Sequence, residues 1–378
     1  MITEQIKKLF GNRICECRRF GGRRELYVEF PIGDESDRLL SLMESNCCRA
    51  ISERTVARNR YLTYITDEGV VYICIADKLG CIRIYVENTN EPYVGTKETS
   101  TSGAAHLTLM NMAYEDEIQV SHDNGFGMIV SLGDGSFIIY DGGYATETDG
   151  LYEFLRANTP EGKKPTVSAW LLTHTHGDHY GCFDAFVKKY SDLVDIKTIL
   201  ACIVFDEYYA KKRADDRYFT DILPCLAEER AIPIITPISG QIYHFVGMDM
   251  EVIQTAEDLY PMGVGMENHS STVTRLIFKE QNKSVLVTAD VARSAVSFMT
   301  ESFGDALRCD VLQIPHHAHS GATKELFRLT APETVIFTTS EEKYLERIKD
   351  NRAWNHYLLN DLNVKKAIVA DGRSESVV

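Results

Sequence analysis

Between residues 171 and 183 the chain reads LLTHTHGDHYGCF, which sets His174, His176, Asp178 and His179 within six consecutive positions. Imidazole and carboxylate are the side chains that hold Zn, Mn or Fe while leaving coordination positions open to water. Residues 168–173 form an apolar, strand-type run, so His174 falls where a strand stops. In extended backbone, positions i and i+2 point the same way. His174 and His176 can therefore share one cation. Gly177 is read as the place where the backbone turns back, so that Asp178 and His179 face a second cation before a helix starts at about Tyr180. Two close cations lower the pKa of a shared water toward neutrality and hold the charge that builds on a substrate oxygen. The chemistry to expect is hydrolysis by a metal-bridging hydroxide, with Asp178 placed to orient that hydroxide and take its proton.

The motif needs strands and turns around it, and the rest of the chain supplies them in order. FGMIVSLGDGSFIIYDGG reads as two strands joined by a Gly-Asp-Gly turn and ending at Asp141. Helical patterning follows in GLYEFLRAN, then the strand VSAWLLT, the motif, and the helix YGCFDAFVKKY. Later strands are TILACIVF, STVTRLIF, SVLVTAD, DVLQIP and TVIFTTS; later helices are TDILPCLAEER, VARSAVSFMTE, ATKELFRLT and HYLLNDLN.

Five stretches in this order resemble the motifs of the metallo-β-lactamase superfamily of hydrolases. HxHxDH at a strand end is its signature. IIYDGG resembles the first motif, which implies that Asp141 supports the metal loop without binding metal. NHSSTVTRL resembles the third and implies His269 as a ligand; His244 in QIYHFVG is a rival. VLVTAD resembles the fourth and implies Asp290 as the carboxylate bridging both metals. LQIPHHAHSG resembles the last and supplies a further histidine, either His316 or His317. His317 is preferred as the ligand and His316 as the contact to an anionic substrate group.

The closer likeness is to the ComEC-like and phosphorylcholine-esterase-like branch, carried by Asn268 to Ser271, TAD and PHHAHS. Ala289 and the Ala318-His319 pair depart from that pattern, the second near the substrate side. In this branch an asparagine can stand near the His269 position. The resemblance covers roughly residues 105–373. It implies a four-layer αββα sandwich, two divalent ions (Zn or Mn, with Fe admissible), and a phosphodiester or phosphomonoester substrate. The turn KEQNKS between two strands would return Asp290 to the sheet edge that carries His269, and Pro315 stops the strand before His316. Asn355 and His356 are weaker site candidates, as is His319; His106 and His122 are read as incidental.

Other branches fit less well. The β-lactamases proper usually have a Cys where Asp290 stands. RNA-processing members carry a large insertion that residues 291–315 do not contain. Flavodiiron reductases append a flavodoxin domain, and glyoxalase-type thioesterases a helical one. A lactone or thioester hydrolase of the same fold is the alternative activity, and a non-catalytic metal-binding sensor or scaffold the alternative class.

Ahead of this unit, residues 1–86 read as a small α+β domain, with 1–100 counting the linker and 101–378 the catalytic domain. TEQIKKLF and DESDRLLSLMESN are helical, ELYVEF is a strand, and RYLTYITDEGVVYICIADKLGCIRIYVEN is an antiparallel meander. Residues 87–105 are rich in Thr, Ser, Asn and Gly and are the linker candidate.

The 378 residues carry 40 basic and 55 acidic side chains, a net charge of −15. Non-specific nucleic-acid binding needs an excess of Lys and Arg to displace counterions, so a small anionic or ester substrate is expected and long nucleic acid is not. Of the ten cysteines none forms a CxxC pair, and several lie in apolar runs such as VVYICIA, where thiols act as small hydrophobes. This points to a reduced, cytoplasmic protein. MITEQIKKLF has no apolar leader, and no stretch approaches the roughly 18 apolar residues of a membrane span. A homo-oligomer is compatible with the sequence.

Overall fold

A computed structural model describes residues 1–18, 23–29, 33–89, 103–110, 125–203, 217–259, 268–349, 354–362, 364–369 and 375–378. Most of the expected linker and His122 lie outside the described residues.

The chain opens with α1 (Ile2–Phe10), β1 (Ile14–Arg18), β2 (Arg24–Glu29), α2 (Glu35–Ser45), β3 (Arg49–Val56), β4 (Asn59–Thr66), β5 (Gly69–Ala76) and β6 (Cys81–Glu87). The strands pair antiparallel in the order β1-β2-β6-β5-β4-β3. The meander read from the sequence forms β4-β5-β6. β1 and β3 escape the apolar pattern because they are the edges of the sheet, where charged residues keep a strand from pairing further.

Alternation along each strand gives this sheet two buried faces. Leu62, Ile73, Ile75, Ile82 and Ile84 pack with Ile6, Leu39 and Met43 of the two helices. Tyr72 and Tyr85, on the other face, meet Ile238, while Tyr61 and Cys74 join the core of the C-terminal half. Arginines cross this junction. Buried Arg83 donates to Asp258 at 2.6 Å, Arg54 pairs with Glu251, and buried Arg23 lies 3.7 Å from Glu257. A guanidinium taken out of water costs several kcal/mol unless a carboxylate meets it, so the two surfaces specify one another. A cavity of about 150 Å³ lies in the junction, lined among others by Thr63, Tyr72, Cys74 and Gly240; none of the candidate site residues lines it.

The second sheet is built from β7 (His106–Leu109), β8 (Gly127–Ser131), β9 (Phe137–Asp141), β10 (Thr166–Leu172), β11 (Asp195–Ile196), β12 (Ile199–Ala201) and β13 (Ile234–Ile235). Helices α3 (Thr148–Ala157), α4 (Gly177–Tyr190) and α5 (Leu223–Glu229) belong to this half. The third sheet comprises β14 (Ile242–Phe245), β15 (Met248–Gln254), β16 (Val273–Phe278), β17 (Lys283–Val287), β18 (Val311–Gln313), β19 (Thr334–Phe337) and β20 (Lys366–Val369), in that spatial order. With it go α6 (Ala256–Leu259), α7 (Arg293–Phe303), α8 (Lys324–Thr330), α9 (Glu341–Arg347) and α10 (Asn355–Asp361). The last strand, β21 (Glu375–Ser376), returns to pair with β7.

Each of these two sheets passes from antiparallel to parallel pairing, at β9 in one and β17 in the other. Leu276, Phe278, Val285 and Val287 face the core between the sheets with Ile139 and Leu171. Leu286 and Leu312 face the other way, onto Val296 of α7 and Phe327 of α8. Trp170 packs edge-on against Phe183 and Phe186 of α4, with ring centroids 5.0 and 5.2 Å away. The result is helices, sheet, sheet, helices: the expected four-layer αββα sandwich, preceded by an extra N-terminal α+β unit. The carboxyl ends of β9, β10, β17 and β18 release Asp141, the histidine motif, Asp290 and the His316–His317 pair at one rim, a usual place for a site in open α/β sheets.

Among the described residues nine cysteines are free thiols, five of them buried. Among the described residues no helix is long and apolar enough to cross a membrane.

Candidate metal centre

The histidine motif is laid down without strain. His176 is extended (φ −115°, ψ 145°) and α4 begins at Gly177, three residues before the start expected at about Tyr180. Gly177 has no positive φ, and a Cβ there would meet nothing within 4 Å. Its freedom is therefore not what turns the chain; the helix itself does. Asp178 sits in the first turn of α4, where the helix dipole favours a carboxylate.

Two sets of donor atoms converge, each within 4.8 Å: Asp178, His179, Asp290 and His317 in one, His174, His176 and Asp290 in the other. Asp290 belongs to both. His174 Nε2 lies 3.1 Å from His176 Nδ1. Asp290 Oδ2 lies 3.4 Å from His179 Nε2 and 3.2 Å from His317 Nε2, which is 3.4 Å from Asp178. Donors bound about 2 Å from one tetrahedral ion sit roughly 3.3 Å apart, so these spacings suit a shared cation. His179 Nε2, His317 Nε2 and Asp290 Oδ1 are buried with no hydrogen-bond partner. Buried polar atoms are rarely left so, and the donor set fits a metal.

The rings of His174, His179 and His317 are held from behind. Asp141 is fully buried and accepts from Thr173 N, Thr173 Oγ1 and His179 Nδ1 at 2.7, 2.7 and 2.8 Å. His317 Nδ1 donates to the Thr338 carbonyl at 2.7 Å, and His174 Nδ1 lies 3.1 Å from Thr173 Oγ1. With Nδ1 engaged, Nε2 faces the centre, the arrangement that fixes tautomer and ring orientation at metal sites. Phe126 stacks on His179, with centroids 5.3 Å apart. Asp141 thus occupies a supporting position behind the histidine loop.

Charge in the cluster is matched in sign. Burial opposes a charged His179, but Asp290, Asp178 and Asp141 outweigh it and raise its pKa well above the ordinary value. Burial likewise opposes charge on His317, which Asp290 and Asp178 nevertheless carry to about 9. Burial pushes Asp290 and Asp178 upward, yet the imidazoles beside them hold both carboxyls below the usual range. The field that retains protons on these imidazoles is the field that attracts a cation in their place. His174 is pushed well down by burial and by His179.

The remaining sequence candidates divide. His269 is not brought to either donor set: its Nδ1 is 2.8 Å from Ser294 Oγ. The 3-10 turn Asn268–Ser270 directs Asn268, not its neighbour, toward His316, with Nδ2 donating to Nε2 at 3.2 Å. His244 sits in β14, 2.8 Å from Asp249, away from both sets. His316 stays outside both sets but beside them, with Nε2 3.8 Å from Asp290 and Nδ1 donating to Ser320 Oγ at 2.7 Å. Burial lowers its pKa to about 4. His319 lies exposed next to it, and His356 and His106 are exposed elsewhere. Asn355 is buried below the turn, donating to the Ala318 carbonyl at 3.0 Å.

Thr173, Thr338 and Arg347 escaped the sequence reading, while Asn268, Ser271 and Ser320 stood in its motifs without a supporting role assigned to them. Ser271 Oγ accepts from the Asp290 backbone N–H at 3.2 Å, and Arg347 donates to the His317 carbonyl. Thr173 alone had a local signal, as the residue directly before the first histidine.

The chain resembles the metallo-beta-lactamase fold protein YhfI from Bacillus subtilis at 9% identity, over 72% of this chain and 99% of that one, with a TM-score of 0.44. It resembles unliganded yeast PDE1 at 12% identity, over 72% and 99%, with a TM-score of 0.43. It also resembles CmlA, a diiron beta-hydroxylase from Streptomyces venezuelae, at 12% identity over 74% and 55%, with a TM-score of 0.43. At such distances these likenesses say nothing of substrate. No curated protein matches the chain. The model of the metallo-beta-lactamase superfamily matches residues 124–339, more than half of the chain and the whole histidine, aspartate and rim assembly, and the chain belongs to that superfamily.

Proposed function

We propose that the chain is a binuclear metallohydrolase acting on a phosphodiester or phosphomonoester. The superfamily is mostly hydrolytic and binuclear. The observation that carries the reading is the pair of donor sets meeting at Asp290, with one further histidine, His316, left beside them. His174, His176 and Asp290 would hold one ion, and Asp178, His179, His317 and Asp290 the other. Zn or Mn, with Fe admissible, would supply a hydroxide at neutral pH and positive charge for substrate oxygens.

The chain's own residues do the rest. Asp178 is the most exposed carboxylate of the cluster, its side chain 22% accessible against 2% for Asp290. It faces the side from which water and substrate arrive and can orient a nucleophile and accept its proton. His316 is neutral at pH 7, and Ser320 and Asn268 fix its ring. A phosphoryl anion entering beside it favours the charged imidazole. The ring then takes a proton from solvent as the anion enters, pairs with the anion as imidazolium, and can pass that same proton to the departing oxygen. The net charge of −15 disfavours long nucleic acid and favours a small ester. The narrower likeness to the ComEC-like and phosphorylcholine-esterase-like branch rests on Asn268 to Ser271 and on PHHAHS; the turn of Asn268 toward His316 supports it. Free thiols buried in apolar surroundings, among them Cys74, Cys182 and Cys309, favour a reducing, cytoplasmic setting.

The test is hydrolysis of bis-p-nitrophenyl phosphate by metal-stripped protein reloaded with Zn or Mn, beside Asp178→Ala and His316→Ala. Metal-dependent turnover that both variants lose is the expected result. Two bound ions without turnover would sink the phosphoester reading, leaving lactone or thioester hydrolysis and then a metal-binding sensor.

A further inference from the structure

The second half of the metal centre hangs on an unusual piece of backbone. His316, His317 and Ala318 have φ of 49°, 50° and 64°. Left-handed backbone is disfavoured for any residue with a Cβ, and residues other than glycine normally visit it singly. Three in succession persist only where the surroundings over-determine them. The conformation turns the His317 ring into the cluster, and it also turns three carbonyls outward. The His316 carbonyl is met locally by the His319 N–H at 2.7 Å. The other two are met from far along the chain. Arg347, at the end of α9, donates to the His317 carbonyl and, at 3.2 Å, to Thr339 Oγ1. Asn355, the first residue of α10, donates to the Ala318 carbonyl at 3.0 Å and to the Arg347 carbonyl at 3.2 Å. Asn355 is fully buried and its Oδ1 has no partner. A buried amide placed for packing alone would do better as leucine; the donor is what this position uses.

We infer that Arg347 and Asn355 are positioning residues, which hold the strained turn so that His317 presents Nε2 to the Asp178–His179–Asp290 set. The inference rests on the binuclear reading above. It makes α9 and α10 part of the metal centre, although neither helix sends a side chain into it. It also assigns a consequence to Ala318, whose methyl group adds to the strain that the two donors oppose.

The experiment titrates metal-stripped protein with Co(II), following visible absorption, in the parent, Arg347→Ala, Asn355→Leu and His317→Ala. Each is repeated with Ala318→Gly, because glycine adopts positive φ freely. The parent should bind two ions. Arg347→Ala and Asn355→Leu should keep one at parental affinity and weaken the other about 10- to 100-fold, as loss of an orienting contact does. Ala318→Gly should recover most of that loss in both, but nothing in His317→Ala. Arg347→Met, which keeps a long side chain but has no donor, serves where Arg347→Ala does not fold. A parent that binds fewer than two ions overturns the binuclear reading and this inference with it. Two parental-affinity ions in Arg347→Ala and Asn355→Leu overturn the inference alone. So does an equal weakening of both ions that Ala318→Gly leaves untouched, the mark of helices that merely dock.

Discussion

Two turns carry histidines into this centre, and they are built on opposite principles. The turn at 174–179 runs downhill: a strand ends, His176 is extended, and a helix begins at once with its carboxylate in the first turn. None of its residues has positive φ. Its donor side chains are neighbours in sequence, and its main support, Asp141, ends the adjacent strand. The turn at 315–318 holds three left-handed residues and is fixed by Ala289, Thr338, Arg347 and Asn355, none of them adjacent. A metal half-site can therefore rest on local propensity or on tertiary restraint. The second kind is exposed to damage from far away.

The largest effect should come from the residue that belongs to both. Asp290→Ala should remove both ions and lower turnover by at least ~10³-fold, the order seen when a charge-stabilising group is lost, whereas His317→Ala should remove one. Metal content per chain decides it; two ions retained in Asp290→Ala would break the shared-ligand geometry. Next comes support behind the rings. Asp141→Asn should weaken metal binding by about 10- to 100-fold through His179. Thr338→Ala should do little, because His317 Nδ1 donates to the main-chain carbonyl. Equal losses in the two variants would contradict this asymmetry.

Acid should act on the same centre. His317 has a value near 9 in the metal-free fold, above the ordinary 6.5 or so of an unfolded chain. Its contribution to metal-free stability is complete below about pH 6.5 and is lost as pH rises through about 9. Ligation requires that proton to leave, so metal affinity should fall roughly tenfold per pH unit for each proton displaced below pH 9. Calorimetry in buffers of different ionisation enthalpy counts the protons; none released at pH 7 would refute the assignment of charge. The smallest effects test the backbones themselves. Ala318→Gly should raise the stability of the metal-free protein by less than ~1 kcal/mol, strain relief being partly offset by a freer unfolded chain. Gly177→Ala, in an unstrained helical turn, should change it by no more than ~1 kcal/mol and leave two ions bound. A large loss in Gly177→Ala would mean the first turn is not relaxed after all.

Legibility followed the same division. The elements that carry the first turn, Asp141, VSAWLLT and the helix after it, show in the apolar pattern, and so do β16, β17, β18 and β19. The N-terminal meander is as plain. What the pattern hides is the sheet's second face, where Arg23, Arg54 and Arg83 meet carboxylates of the C-terminal half. His269 shows the limit most sharply. It stands in the right motif, yet the turn Asn268–Ser270 sends its neighbour to the site. One residue of rotation in a tight turn decides which side chain faces in, and periodicity does not resolve that.

The sequence by itself determined the fold class, the order of the strands that end at one rim, and the four clustered donor residues of the histidine loop. Each of these depends on residue types a few positions apart. For Asp290, His317 and His316 the motifs offered roles that only the tertiary structure could place in space; it alone decided that Asn268 and not His269 turns to the site, and that Arg347 and Asn355 meet the carbonyls of the His317 turn. Those depend on carbonyl directions and ring rotations set by contacts between segments far apart in the chain, which no local pattern encodes.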